Sequence, residues 1–242
     1  MASGLTAGTG ATIVYVVDVI GSTIPGLRER KKLRTRGTLI DVAAELCVRQ
    51  GYEQTTVEQI AAAADVSSRT FSRYFPTKGA VIVAAVDEVS RYVAEALAVQ
   101  PYDITELEAL LRAHLLTFLP DDPDSPEALS FNRVAMLIQI VNSSPTLGVG
   151  TYSFRQRGAQ SPTVVVLAQR MGRPVDDAAV RLVAGTWTIL MATACRGLGT
   201  AGNEPIEVAV VCDRLKATYA IFARLWRPWN PDGRPPAGAP SH

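Results

Sequence analysis

The sequence predicts an all-α fold, three N-terminal helices followed by a larger helical region, on three observations. Apolar residues recur at three- and four-residue spacing from Arg30 to Trp226, residues that favour helix starts stand ahead of them, and beyond Pro101 there is no strand-like alternation of useful length. The 242 residues are 48% hydrophobic and 19% charged, enough to fill the core of one large or two modest domains.

The first predicted helix carries Leu39, Val42, Ala43 and Leu46 on one side, and Gly51 stands where a left-handed C-cap ends it. In TTVEQIAAAADV, either Thr55 with Glu58 or Thr56 with Gln59 supplies a capping box for a short second helix. Asp65 occupies the turn, and Ser67 is the natural N-cap of a third helix whose apolar side is Phe71 and Phe75. Pro76 ends that helix, and Thr77 caps a longer fourth that runs to Pro101. The remainder predicts helices around Leu107–Phe118, 128–142, 146–171 (interrupted by Gly and Pro), 180–198 and 205–226, with DDPDSP as a turn. Small residues Gly185, Ala192, Ala194 and Gly197 would let a neighbouring helix approach closely. The expected domains are 1–26, a flexible extension; 27–80, the three-helix unit; 81–226, the larger helical domain; and 227–242, a disordered Pro- and Gly-rich tail.

Net charge is only +1, but residues 27–80 hold ten basic against six acidic side chains, so positive charge is concentrated there. Cys47, Cys195 and Cys212 fall inside apolar helical patterns with no metal spacing, which reads as buried small hydrophobes in a reducing compartment. The apolar run ATIVYVVDVIGSTI is too short to span a membrane, contains Asp18 and lacks a basic n-region, so a cytoplasmic protein without a membrane partner is expected. Only His114 and His242 could serve as imidazole bases, and neither a nucleophile elbow nor a phosphate loop occurs; the reading is not an enzyme and needs no cofactor.

Two short helices joined by a tight turn and braced by a longer one are the parts of a helix-turn-helix, whose second helix enters the DNA major groove. With Phe71 and Phe75 inward, Ser68, Arg69, Ser72 and Arg73 fall on outward or flanking faces, where Arg can fork onto guanine and serine can donate or accept. Tyr74 and Lys78, with the helix starts near Thr56 and Thr77, can reach phosphate oxygens. The basic lead Arg28 to Arg36 reads equally as further phosphate contacts or as a solvated charge run.

The stretch GYEQTTVEQIAAAADVSSRTFSRYFPTKGAVI, Gly51 to Ile82, resembles the DNA-binding domain of the TetR family of bacterial transcriptional regulators. By that resemblance Thr56 contacts phosphate, Ser68, Arg69 and Ser72 face bases, Thr70, Tyr74 and Lys78 contact the backbone, and Arg73 suits either role. Three positions depart from the family pattern: Asp65 replaces a usual Gly, Ser72 a frequent aromatic, and Gly79 a common Glu. The resemblance further implies a homodimer on a near-palindromic operator, dimerisation through the last two long helices, repression, and a ligand pocket in the larger domain. Candidates to line it are His114, Phe118, Phe131, Ile138, Asn142, Tyr152, Phe154, Trp187 and Met191, all of which read individually as core packing too. The forms LPDDPDSPEAL and RTFSRYFPTK look similar to actinobacterial members near mycofactocin loci that respond to acyl-coenzyme A, which implies a small hydrophobic effector such as a fatty acyl derivative. The alternative is a helical adaptor without DNA binding, which would show no salt-dependent duplex affinity.

Overall fold

Nine helices and no strand make up the described residues of the computed structural model, which are 26–119, 131–144, 147, 161–200 and 206–225. They are α1 (Leu27–Gln50), α2 (Val57–Ala63), α3 (Ser68–Tyr74), α4 (Lys78–Ala98), α5 (Glu106–Phe118), α6 (Phe131–Ser143), α7 (Pro162–Arg170), α8 (Ala178–Cys195) and α9 (Val208–Leu225). The all-α expectation holds. Expectations for the two terminal segments, the DDPDSP turn, Tyr152, Phe154 and Trp226 fall outside the described residues.

Packing divides the chain into Met1–Arg36 and Gly37–His242. In the first unit the described part is helical and mostly exposed; Lys32 pairs with Glu29 at 3.6 Å, and the Thr35 hydroxyl donates to Lys31 O. In the second, helix ends are set largely by local chemistry. Thr56, Ser67, Thr77 and Thr105 each accept a backbone N–H three residues on, satisfying a donor that the first helical turn leaves orphaned. Asp177 does the same for Ala179 N at 2.7 Å, and that backbone bond holds its carboxyl below the usual range. Pro162 opens α7 at a position where its missing N–H costs nothing.

Three apolar clusters form the interior. The first joins α1–α4 through Leu39, Ile40, Ile60, Phe71, Val81 and Ile82, and takes in Leu137 and Ile140 of α6. A second gathers Val93, Leu97, Leu110, Leu167, Trp187 and Leu215 from α4, α5 and α7–α9. The third, smaller, includes Phe118, Val134, Cys195 and Val211. Helix α4 enters both large clusters: Val81, Ile82 and Ala85 pack at its start, Val93 and Leu97 at its end. The end of α7 is tied to the α4–α5 loop by Arg170, which donates to Gln100 O at 2.8 Å and to Pro101 O while stacking over Tyr102. All three cysteines are free and buried, and burial pushes their thiols up, that of Cys195 to about 11, so they are neutral apolar packing.

Candidate nucleic-acid interface and internal cavity

The α2–α3 unit is built by caps and a tight turn. Of the two capping boxes the sequence allows, Thr56 with Gln59 forms: Thr56 Oγ1 accepts from Gln59 N at 3.2 Å while Gln59 Oε1 accepts from Thr56 N at 2.9 Å. Thr55 is instead buried and donates to Gly51 O at 2.8 Å. At the C-terminal end of α2, Asp65 N donates to Ala62 O and Val66 N to Ala61 O, the paired bonds of a Schellman turn. That turn needs a left-handed residue, and Asp65 adopts φ 53° where glycine would be the cheaper choice.

Helix α3 is pinned from one side. Phe71 is 0% exposed and Phe75 4%, their ring centroids 6.0 Å apart. Arg69, Ser72 and Arg73 are exposed, and Ser68, Thr70 and Tyr74 are half-buried. Their donors are unequally committed. Ser72 Oγ donates to Ser68 O at 3.0 Å, Thr70 Oγ1 meets Ser67 Oγ at 3.0 Å, and the Arg73 guanidinium lies 5.4 Å from the Tyr74 ring centroid. Arg69 has no such contact among the described residues, so its five N–H donors face solvent. Thr56 is exposed at the start of α2.

Lys78 makes a contact that spacing did not reveal. Its Nζ donates to Tyr52 O at 2.5 Å and lies 4.1 Å from the Tyr52 ring centroid, fastening the α1–α2 loop to α4. Tyr52 also explains Gly79: a Cβ there would stand 3.3 Å from the Tyr52 hydroxyl.

Away from this surface lies a cavity of about 540 Å³ among α4–α8. Of the residues the sequence put forward, His114, Phe118, Ile138, Asn142, Trp187 and Met191 line it. Phe131 does not; its ring packs edge-on against Phe118 at 6.3 Å. His114 Nδ1 is 2.7 Å from Leu110 O, which can only accept, so the proton sits on Nδ1 and Nε2 accepts from Trp187 Nε1 at 3.2 Å. Burial lowers the His114 pKa to about 4, keeping the ring neutral. Asn142 donates from Nδ2 to Cys195 O at 2.7 Å and Leu198 O at 2.9 Å, and Ser90 Oγ pairs with both Ser161 Oγ and Thr163 Oγ1 at 2.8 Å. Among the described residues no cluster of His, Cys, Asp or Glu could hold a metal ion.

Helix α6 faces both sites. Val134, Leu137, Ile138, Val141 and Asn142 line the cavity, while Leu137 and Ile140 belong to the core of α1–α4. Arg133 bridges Asp41 of α1 and Glu88 of α4, the latter at 2.5 Å, and Ser144 donates to Glu53 at 2.6 Å. The links to Asp41 and Glu53 join residues 92 and 91 apart, which no periodic pattern signals.

The chain is similar to known proteins in sequence and in structure. Among solved structures, a tetR family transcription regulator from Shewanella sp. PV-4 aligns with 79% of this chain and 97% of its own, at 18% identity and a TM-score of 0.46. A TetR-family regulator from Streptomyces coelicolor A3 aligns with 79% and 96%, at 19% identity and 0.43. Residues 39–85 match the family model for bacterial regulatory proteins, tetR family. Over 153 residues, 63% of this chain and 67% of the relative, the sequence is 34% identical to the HTH-type transcriptional regulator TcmR of Streptomyces glaucescens. With a matching domain, that identity over that length and a capped α2–α3 unit presenting Arg69, the chain belongs to the TetR family and is a DNA-binding transcriptional regulator, not an enzyme.

Proposed function

We propose that the protein is a cytoplasmic, homodimeric repressor that leaves a near-palindromic operator when a small hydrophobic effector of the fatty acyl class fills the cavity among α4–α8. Residues 27–80 form its DNA-binding domain and 81–226 its regulatory and dimerisation domain. Arg69, Ser68 and Ser72 read bases; Thr56, Thr70, Tyr74 and Lys78 hold phosphates; Arg73 serves either. The observation that carries this reading is the buried Phe71–Phe75 pair, which turns the uncommitted Arg69 guanidinium outward on a capped helix. A single domain with so few phosphate contacts would bind weakly at physiological salt, whereas two copies with recognition helices roughly 34 Å apart engage successive major grooves. Exposed Leu182 and Ile189 on α8, seven residues apart, with Ile221 and Leu225 on α9, support burial of this face against a second copy. Helix α8 is also long and apolar enough to cross a membrane; as part of a dimer interface its apolar residues need no lipid.

The test is selection of bound duplexes from a random pool, then fluorescence anisotropy on the selected operator across salt concentrations. The logarithm of the affinity should fall linearly with log salt, and Arg69→Ala should reduce discrimination between operator and scrambled duplex by about 1–3 kcal/mol. Discrimination unchanged by Arg69→Ala would remove that residue from base reading.

A further inference from the structure

Among the described residues, the polar side chains that line the interior of the cavity are already engaged with one another or with backbone carbonyls. His114 Nδ1–H is taken by Leu110 O, Trp187 Nε1–H by His114, and the Asn142 amide by two carbonyls. Thr188 donates to Ala184 O at 2.9 Å, and Thr163 to Ser90 O at 2.9 Å. Ser90 and Ser161 meet at 2.8 Å, with Thr163 Oγ1 as a further partner for Ser90. Among the described residues, a ligand's anionic group placed deep in the cavity would therefore meet side-chain donors that are already engaged within the protein and would lose its hydration with little compensation.

The exception is Arg181, which lines the cavity, is solvent-exposed and makes no hydrogen bond or ion pair among the described residues. Asp176 also lines the rim. Its charge is already favourably placed, since it stands just ahead of the N-cap Asp177, where the start of α8 favours anions. Arg181 lies near that same positive end, where a cation is unfavourably placed, and it has no ion-pair partner among the described residues. Asp177, the other nearby carboxylate, is engaged by Arg173 at 3.2 Å and by Ala179 N.

We propose that Arg181 anchors the head group of the effector, so that the ligand is an amphiphile whose apolar body fills the cavity and whose single carboxylate or phosphate sits at the rim. The proposal rests on the reading of this cavity as the effector site. It names the class of ligand within that reading: the charge is negative, and it stays at the edge.

The experiment is isothermal titration calorimetry of the full chain with four probes of one chain length: dodecanoate, dodecyl phosphate, dodecanol and dodecylamine, each below its micelle threshold. Dodecanoate or dodecyl phosphate should bind about tenfold tighter than dodecanol, the scale of one charge-assisted contact, and the stronger of the two identifies the head group. Arg181→Gln should bring that ratio to within about twofold while leaving dodecanol binding unchanged, and Arg181→Lys should keep part of it. Equal binding of acid and alcohol by the wild type, a preference for the amine, or a preference that survives Arg181→Gln overturns the anchor. Binding of none of the four, or binding unaffected by Ile138→Trp, which fills the cavity, overturns the effector-site reading itself.

Discussion

Replacing Phe71 by Ala tests the support of the recognition helix most directly. The ring is wholly buried in the α1–α4 cluster and packs on Phe75. An aromatic side chain of this kind removes roughly 150–250 Å² from water, which at about 25 cal/mol per Å² gives roughly 4–6 kcal/mol. Partial burial in the unfolded chain and the methyl that remains reduce this, and measured truncations of buried phenylalanine cost about 3–5 kcal/mol. Against a total stability of about 5–15 kcal/mol, that loss consumes much of what holds α3 in place. Urea denaturation followed by circular dichroism should show the midpoint falling accordingly, and operator anisotropy should fall with it. Phe71→Leu keeps most of the apolar volume, so it should cost about 1–2 kcal/mol and retain operator binding. A Phe71→Ala protein that loses less than about 1 kcal/mol and binds operator normally would refute the claim that this ring positions Arg69.

Two further outcomes follow from side chains with dual or hidden roles. Lys78→Ala should weaken binding to all duplexes alike and, without DNA, lower stability by about 1–2 kcal/mol through loss of the Tyr52 carbonyl and ring contacts; unchanged thermal unfolding would show that those contacts contribute nothing. The neutral, buried His114 gives a pH signature: between pH 6.5 and about 4 the unfolded chain takes up a proton that the folded chain does not, so stability falls as pH falls through that window, by on the order of 3 kcal/mol at its acid end. Urea midpoints measured from pH 7 to pH 4 should fall more steeply for wild type than for His114→Gln, and parallel curves would contradict the assignment.

The DNA-binding half was legible because its signals are local. Thr56 with Gln59, Ser67 ahead of Thr70, Thr77 ahead of Ala80 and the four-residue step from Phe71 to Phe75 all act within one helical turn, so the sequence displays them directly. The unusual Asp65 was readable too, because its turn demands φ > 0 and few side chains other than Gly, Asn and Asp supply it. The cavity was legible as a mainly apolar set of residues with His114 and Asn142 among them, without the partners of those polar groups. What decides its chemistry is pairing across the fold: His114 with Trp187 at a separation of 73 residues, Asn142 with Cys195 at 53. Periodicity reports which face of a helix is apolar, but not which distant partner meets its polar groups. The Arg133 bridge and the Tyr52–Lys78 contact carry no local signal for the same reason.

The pairs made by Arg133, Asn142 and Ser144 matter because they converge on α6. Its thirteen residues present Val134, Ile138 and Asn142 to the cavity and place Leu137 and Ile140 in the core that carries α3. Arg133 ties α6 to Asp41 and Glu88, and Ser144 at its end ties it to Glu53 beside the Tyr52–Lys78 clasp. Gly199 extends the contact on the other side, since a Cβ there would come within 3.1 Å of Gln139, and Asn142 holds the adjacent carbonyls of Cys195 and Leu198. An occupant of the cavity that shifts α6 must therefore repack the recognition-helix core, break charged pairs whose partners are partly buried, or leave Asn142 unpaired. Close-packed interiors resist continuous deformation of this kind and move between discrete arrangements. A ligand that binds two such arrangements unequally changes the population of DNA-competent chains by its differential affinity, without touching α3 at all.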